Sequence, residues 1–260
     1  NCFIDLIVDC FFEITVNIYI MRNKTTKSKR SSSSTPKQGD PINDRTRKPR
    51  STKQGKFHLE FKNASQRLAF ATFQQHDVLF LNGPAGVGKS FLAMAFAINE
   101  LLQGNKKKIV LTRPIVEAGE HLGFLPGDFN EKVHPYMLPL YDCITKLVGV
   151  DNMQRELVDS SIEVAPLAYL RGRTLDDAVC ILDEAQNTTM AQMKLFLTRL
   201  GENSKMIING DPTQSDLPIS PVALTQTIKK LQNVPGIGII NFDASSIVRH
   251  RLVGAMLKEL

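Results

Sequence analysis

The chain has 260 residues, 42% of them hydrophobic, with no tryptophan, four tyrosines and a formal net charge of +6. That length allows one medium domain with appendages or two small ones, and the apolar fraction is enough to bury a core. The scarcity of tryptophan and tyrosine argues against a surface built on aromatic stacking of bases, and four cysteines without C-x-x-C spacing argue against a zinc site or a disulfide framework. The scattered histidines form no metal-ligand pair, and the unpaired thiols fit a reducing, cytoplasmic setting.

The charge is uneven along the chain. Residues 21–56 carry twelve Lys or Arg against Asp40 and Asp44, which leaves twenty basic and twenty-four acidic residues elsewhere. Residues 1–20 are mostly apolar but are interrupted by Asp5, Asp9 and Glu13. Three central acids disfavour a membrane span, and a secretory leader wants a basic start, so no membrane partner is expected. Met21 is read as the natural start, with residues 1–20 as upstream sequence not translated in vivo. The alternative is a genuine amphipathic N-terminal segment. Residues 22–56 are rich in Lys, Arg, Ser, Thr and Pro, so the whole of 1–56 is expected to be a disordered basic tail. Such an arm attracts nucleic acid phosphates; the plainer reading is a solvated linker.

From Phe57 to residue 260 the pattern changes to one ordered domain. Strands are predicted at 78–82, 108–112, 162–165, 179–182, 205–209 and 237–242. Helices are predicted at 64–75, 89–103, 131–147, 152–159, 189–200 and 220–232. Short buried strands alternating with helices indicate a three-layer parallel α/β sandwich. Residues 113–130 form a long glycine-rich stretch, and irregular segments of that length inside a domain are usually functional.

The candidate site residues follow in chain order. Gln66 carries an amide that can read adenine edges, because it offers a donor and an acceptor side by side. GPAGVGKS at 83–90 fits G-x-x-x-x-G-K-[ST] between a predicted strand and a predicted helix. Gly83, Pro84, Ala85, Gly86, Val87 and Gly88, with Lys89, Ser90 and Phe91, are therefore the expected nucleotide-binding positions. Backbone N–H groups wrap the phosphates, Lys89 reaches the β and γ phosphates, and Ser90 holds Mg²⁺. ILDEAQN at 181–187 ends a predicted strand in two carboxylates. Asp183 is placed to hold Mg²⁺ and Glu184 to polarise the attacking water. NGDPTQ follows another strand, which puts Gln214 in reach of the γ-phosphate or the attacking water. Arg113, Arg171, Arg173 and Arg249 stand at special places, and Arg249 is the expected arginine finger.

These blocks together resemble the PhoH family of P-loop ATPases, from about Phe57 to Val253. The match rests on GPAGVGKS, LTRPIVEAGEHLGFLPGD, EKVHPYMLPLYD, LAYLRGRTL, ILDEAQNTT, QMKLFLTRLG, NGDPTQSDLP and IVRH. The resemblance implies a helicase-like motor domain that binds ATP with Mg²⁺, an RNA helicase role and a link to phosphate starvation. It also implies homo-oligomeric rings, hexamers by expectation, in which a neighbour completes each site. Two departures bear on the finger and on subunit contacts: Arg251 stands where the family usually has proline, and ISPVAL (219–224) replaces its SGL-like segment. The leading functional reading is hydrolysis coupled to remodelling of RNA or single-stranded DNA. The alternative is a nucleotide-dependent binding or assembly module without unwinding. A small-molecule kinase is disfavoured by Asp183, Glu184 and Gln214, which suit water activation.

Overall fold

The computed structural model describes residues 59–115, 129–149, 161–217, 222–243 and 246. The expected tail over 1–56, most of the 113–130 stretch, the helix expected at 152–159 and Arg249 lie outside the described residues. Chain order is α1 (Ala64–Gln75), β1 (Val78–Asn82), α2 (Lys89–Leu102), β2 (Lys108–Arg113), α3 (Phe129–Val148), β3 (Ile162–Pro166), β4 (Ala178–Leu182), α4 (Met190–Leu197), β5 (Lys205–Gly210), α5 (Ala223–Leu231) and β6 (Ile237–Asn241). Tight 3-10 turns at Leu167–Leu170 and Ala185–Asn187, not anticipated from sequence, follow β3 and β4.

The six strands form one wholly parallel sheet in the order β3-β2-β4-β5-β1-β6. Alternation along each strand sends side chains to opposite faces, and two separate cores result. On one face Leu79, Leu81, Ile109, Leu111, Val179, Ile181 and Ile207 pack with α1, α2 and α3. On the other, Val78, Phe80, Val110, Cys180, Leu182, Met206 and Ile208 pack with α4, α5 and the turn after β3. The expected three-layer α/β architecture is therefore what the chain adopts. Among the described residues, no helix is long and apolar enough to cross a membrane.

α2 is central to the first face, with Phe91 through Glu100 all buried. Phe96 anchors it: its ring stacks on Phe73 of α1 at 5.4 Å and lies 5.2 Å from Phe70. α3 runs through Pro135 and Pro139 without ending, starting two residues earlier than its apolar spacing suggests. Its buried residues Met137, Leu140, Ile144 and Leu147 recur at helical spacing and hold it against the core. That packing offsets the hydrogen bonds the two prolines remove. α4 and α5 are each shorter at both ends than their sequence pattern suggested. α4 opens with a reciprocal capping box between Thr189 and Gln192, which fixes its first turn.

Candidate functional site

All strands point the same way, so every strand exit opens onto one rim of the sheet. β1 exits into Gly83–Gly88 and then α2. Gly83 is pressed against the exit of β6, where an added Cβ would meet the Phe242 carbonyl oxygen at 2.6 Å, so no side chain fits there. Gly88 adopts the left-handed conformation at φ 84°, which turns the chain into α2. α2 has no capping side chain and no acid in its first turn. Its own sequence thus supplies no acid to the N–H groups and dipole of this helix end, which favour an anion. Lys89 Nζ folds back onto its own loop, donating to the carbonyls of Gly83 at 2.8 Å and Pro84 at 2.9 Å. Val87 and Phe91 put their side chains into the core, so both face the loop through backbone alone.

The exits of β4 and β5 supply the polar half. Asp183 is 3% exposed and accepts from Ser90 Oγ at 2.6 Å and from Asn209 Nδ2 at 2.7 Å. Asn209 Nδ2 also donates to Ser90 Oγ at 3.1 Å. The sequence reading brought Ser90 and Asp183 together and missed Asn209. Its signal was a polar residue ending an apolar strand inside NGDPTQ. Asp211 was missed as well: it accepts from Ala85 N at 2.9 Å and so ties the phosphate loop to the β5 exit.

Glu184 takes a left-handed backbone, φ 53° and ψ 43°, which is rare for a side chain other than glycine. Its Oε2 accepts from Gln186 Nε2 at 2.5 Å, and its Oε1 lies 3.4 Å from Arg113 Nη2. Burial and the neighbouring Asp183 push its carboxyl above the ordinary glutamate value, while Arg113, Gln186 and Lys89 pull the other way. Gln186 reaches on to β5, where its Oε1 accepts from Asp211 N at 3.0 Å.

The remaining expected residues fall around this rim to different degrees. Gln66, in the first turn of α1, is fully buried. Its Oε1 accepts from Lys62 N at 2.9 Å and its Nε2 has no protein partner. Gln214 lies in the turn after β5, its N–H donating to the Asp211 carbonyl at 3.0 Å and its side chain exposed. Arg173 is committed elsewhere, in a two-pronged pair with Glu163 at 2.5 and 2.7 Å.

The donor set fits a nucleotide with its magnesium. The loop and helix N-terminus offer N–H groups to an anion, and Lys89 offers an ammonium on a long side chain. Ser90 and Asp183 offer hard oxygens close together. Asn209 Oδ1 is buried beside them without a protein partner. Among the described residues no group of three His, Cys, Asp or Glu is placed to hold a metal ion. A cation here would thus lean on phosphate oxygens as well as on protein, which is how Mg²⁺ usually enters such sites.

Residues 58–260 match the family model described as PhoH-like protein. The PhoH-like protein of Bacillus subtilis is 52% identical over 201 residues, covering 77% of this chain and 63% of the relative. Protein PhoH of Escherichia coli K12 is 42% identical over 194 residues, covering 74% and 55%. The chain thus spans less than two thirds of the length of these relatives. Among solved structures, the large terminase of a thermophilic bacteriophage superposes with a TM-score of 0.47 at 10% identity, covering 75% of this chain and 49% of that one.

Proposed function

The chain belongs to the PhoH-like protein family, and from that premise we propose that it is a Mg²⁺-dependent ATPase that acts on RNA or single-stranded DNA. The observation that carries the reading is the convergence of Lys89, Ser90, Asp183 and Glu184 at an uncapped helix N-terminus on the strand-exit rim. Backbone N–H groups of Gly86–Phe91 bind the phosphates, and Lys89 leaves its own carbonyls to neutralise the β and γ oxygens. Ser90 and Asp183 hold Mg²⁺, with Asn209 orienting both; the ion supplies charge neutralisation to the phosphates when bound. Glu184 orients and polarises the attacking water, and Gln214 reaches the same region from the β5 exit. The unpartnered Nε2 of Gln66 is suited to a base edge of the nucleotide.

Coupling to nucleic acid, the link to phosphate starvation and a ring that brings Arg249 of a neighbour to each site are carried by the family resemblance. The basic stretch 21–56 supports the nucleic acid partner by charge. The binding-module alternative differs in one respect, that nucleotide sets assembly without strand separation. The decisive experiment measures ATP hydrolysis with and without single-stranded RNA, together with strand separation and particle mass. The proposal expects turnover that disappears in Lys89→Ala, rises with RNA and belongs to a multi-subunit particle. ATP binding and assembly without strand separation would favour the alternative. Equal turnover in a folded Lys89→Ala chain would overturn the site.

A further inference from the structure

Arg113 ends β2, two strands from β5, with Glu184 at the exit of β4 between them. Both oxygens of Glu184 are engaged, one by Arg113 at 3.4 Å and the other by Gln186 at 2.5 Å. The carboxylate is thus held by the β2 exit on one side and by Gln186 of its own turn on the other. On the β5 side the connection continues through Gln186 and Asp211 to Ala85 of the phosphate loop. On the β2 side Arg113 is the tether, its side chain only 19% exposed. The left-handed backbone of Glu184 adds to the point, since such conformations persist only where the surroundings over-determine them.

Without Arg113 the Glu184 side chain keeps one tether and regains rotamers about its flexible stem. A group that orients water must be held to within about 0.5 Å and 10–20° of its working geometry. Nucleotide affinity depends on the loop and on Lys89, whereas the ion pair of Arg113 is with Glu184.

We propose that Arg113 is a positioning residue that acts through Glu184, fixing the carboxylate for water activation within its own subunit. The proposal rests on the reading of Glu184 as the water-orienting group. It gives Arg113 a task distinct from the transition-state charge stabilisation expected of Arg249.

The test uses the full chain and measures single-turnover hydrolysis of Mg-ATP alongside the dissociation constant of a fluorescent ATP analogue. The variants are Arg113→Ala, Arg113→Lys, Glu184→Gln and the double variant Arg113→Ala/Glu184→Gln. Misplacement of about 1 Å can lower a rate roughly 10²-fold, so Arg113→Ala should slow hydrolysis about ten- to hundredfold. Its nucleotide dissociation constant should stay within about twofold of the wild type, because the loop is untouched. Arg113→Lys keeps the charge and should recover part of the rate, and it guards against loss of fold in the alanine variant. In the Glu184→Gln background, Arg113→Ala should remove less than about twofold more, because its target is already disabled. An equal further loss in that background would show that Arg113 acts on the phosphoryl group itself and would overturn the proposal. A wild-type rate in Arg113→Ala would overturn it too. Absence of Lys89-dependent hydrolysis in the wild type would instead remove the functional reading beneath it.

Discussion

At the N-terminal ends of the strands, polar groups close on one another. Lys205 Nζ donates to the carbonyls of Phe73 and His76 at 2.8 Å and so finishes α1. Lys106 Nζ donates to the Asn203 carbonyl at 2.7 Å and to its side chain at 2.8 Å, and Lys107 pairs with Asp177. Ser204 Oγ donates to the Leu175 carbonyl and accepts from Ala178 N. At the C-terminal ends the pattern reverses. The buried atoms without a partner among the described residues are Asn82 Oδ1, Thr112 Oγ1, Asn209 Oδ1 and Gln66 Nε2. Three sit at strand exits, and Gln66 lies in the α1 turn at the same level. A buried polar atom left unpaired destabilises a fold, so such atoms gathered on one rim call for a partner the protein itself does not supply. One end of the sheet closes its polar groups on one another, and the other is the end to which the proposed function assigns the chemistry.

That contrast can be broken most sharply at Glu184. Glu184→Gln should lower hydrolysis by roughly 10²–10⁴-fold, the usual contribution of a positioned acid–base group, while ATP affinity and melting temperature hold. Rapid-quench turnover beside a melting curve checks both halves. A smaller loss is expected at Asn209→Ala, which removes the amide that orients Ser90 and Asp183. Outer partners of metal ligands typically contribute about 10–100-fold in metal affinity or activity. Titrating Mg²⁺ against turnover should show a raised requirement for the ion.

At the opposite rim the loss falls on stability instead of turnover. Lys205→Met removes charged hydrogen bonds to α1 carbonyls and should destabilise the fold by about 1–3 kcal/mol. Chemical denaturation would report the loss, and turnover per folded molecule should stay at the wild-type level. If activity fell in step, the two rims would not be separable. The smallest effect is expected at Glu163, whose carboxyl is held below its ordinary value of 4.5 by the hydrogen bond from Arg173. A lowered carboxyl contributes stability above the unfolded value and loses it as pH falls through the folded one. Both side chains are 35% exposed, so solvent screening limits the contribution to under about 1 kcal/mol. Glu163→Gln should therefore be slightly less stable than wild type at pH 7 and equal to it in acid below the lowered value.

Much of the chemistry rim was readable in the sequence because its backbone is local. GPAGVGKS needs its glycines in order, and the apolar runs before Gly83 and Asp183 announce strands whose exits carry the site. The strand order was not readable, since parallel pairing joins residues as distant as Val78 and Met206 with no local signal. For the same reason Asn209, Asp211 and Gln186 carry no local signal as supports: each makes a contact across strands, with Ser90, Ala85 and Asp211 respectively. Gln66 was singled out for its amide, yet its burial and unpaired nitrogen depend on how α1 packs. The turn of α2 sends the Phe91 ring into the core, so only its backbone is left to face the phosphate loop. The left-handed turn at Glu184 has no glycine to signal it.

The most direct test of the two-rim account is backbone amide exchange of the Glu184→Gln chain with and without saturating Mg-ATP. The account predicts slower exchange over residues 83–91 and 209–214, with residues 175–178 and 200–206 unchanged. Protection confined to 175–178 and 200–206, or none at 83–91 with nucleotide demonstrably bound, would contradict it.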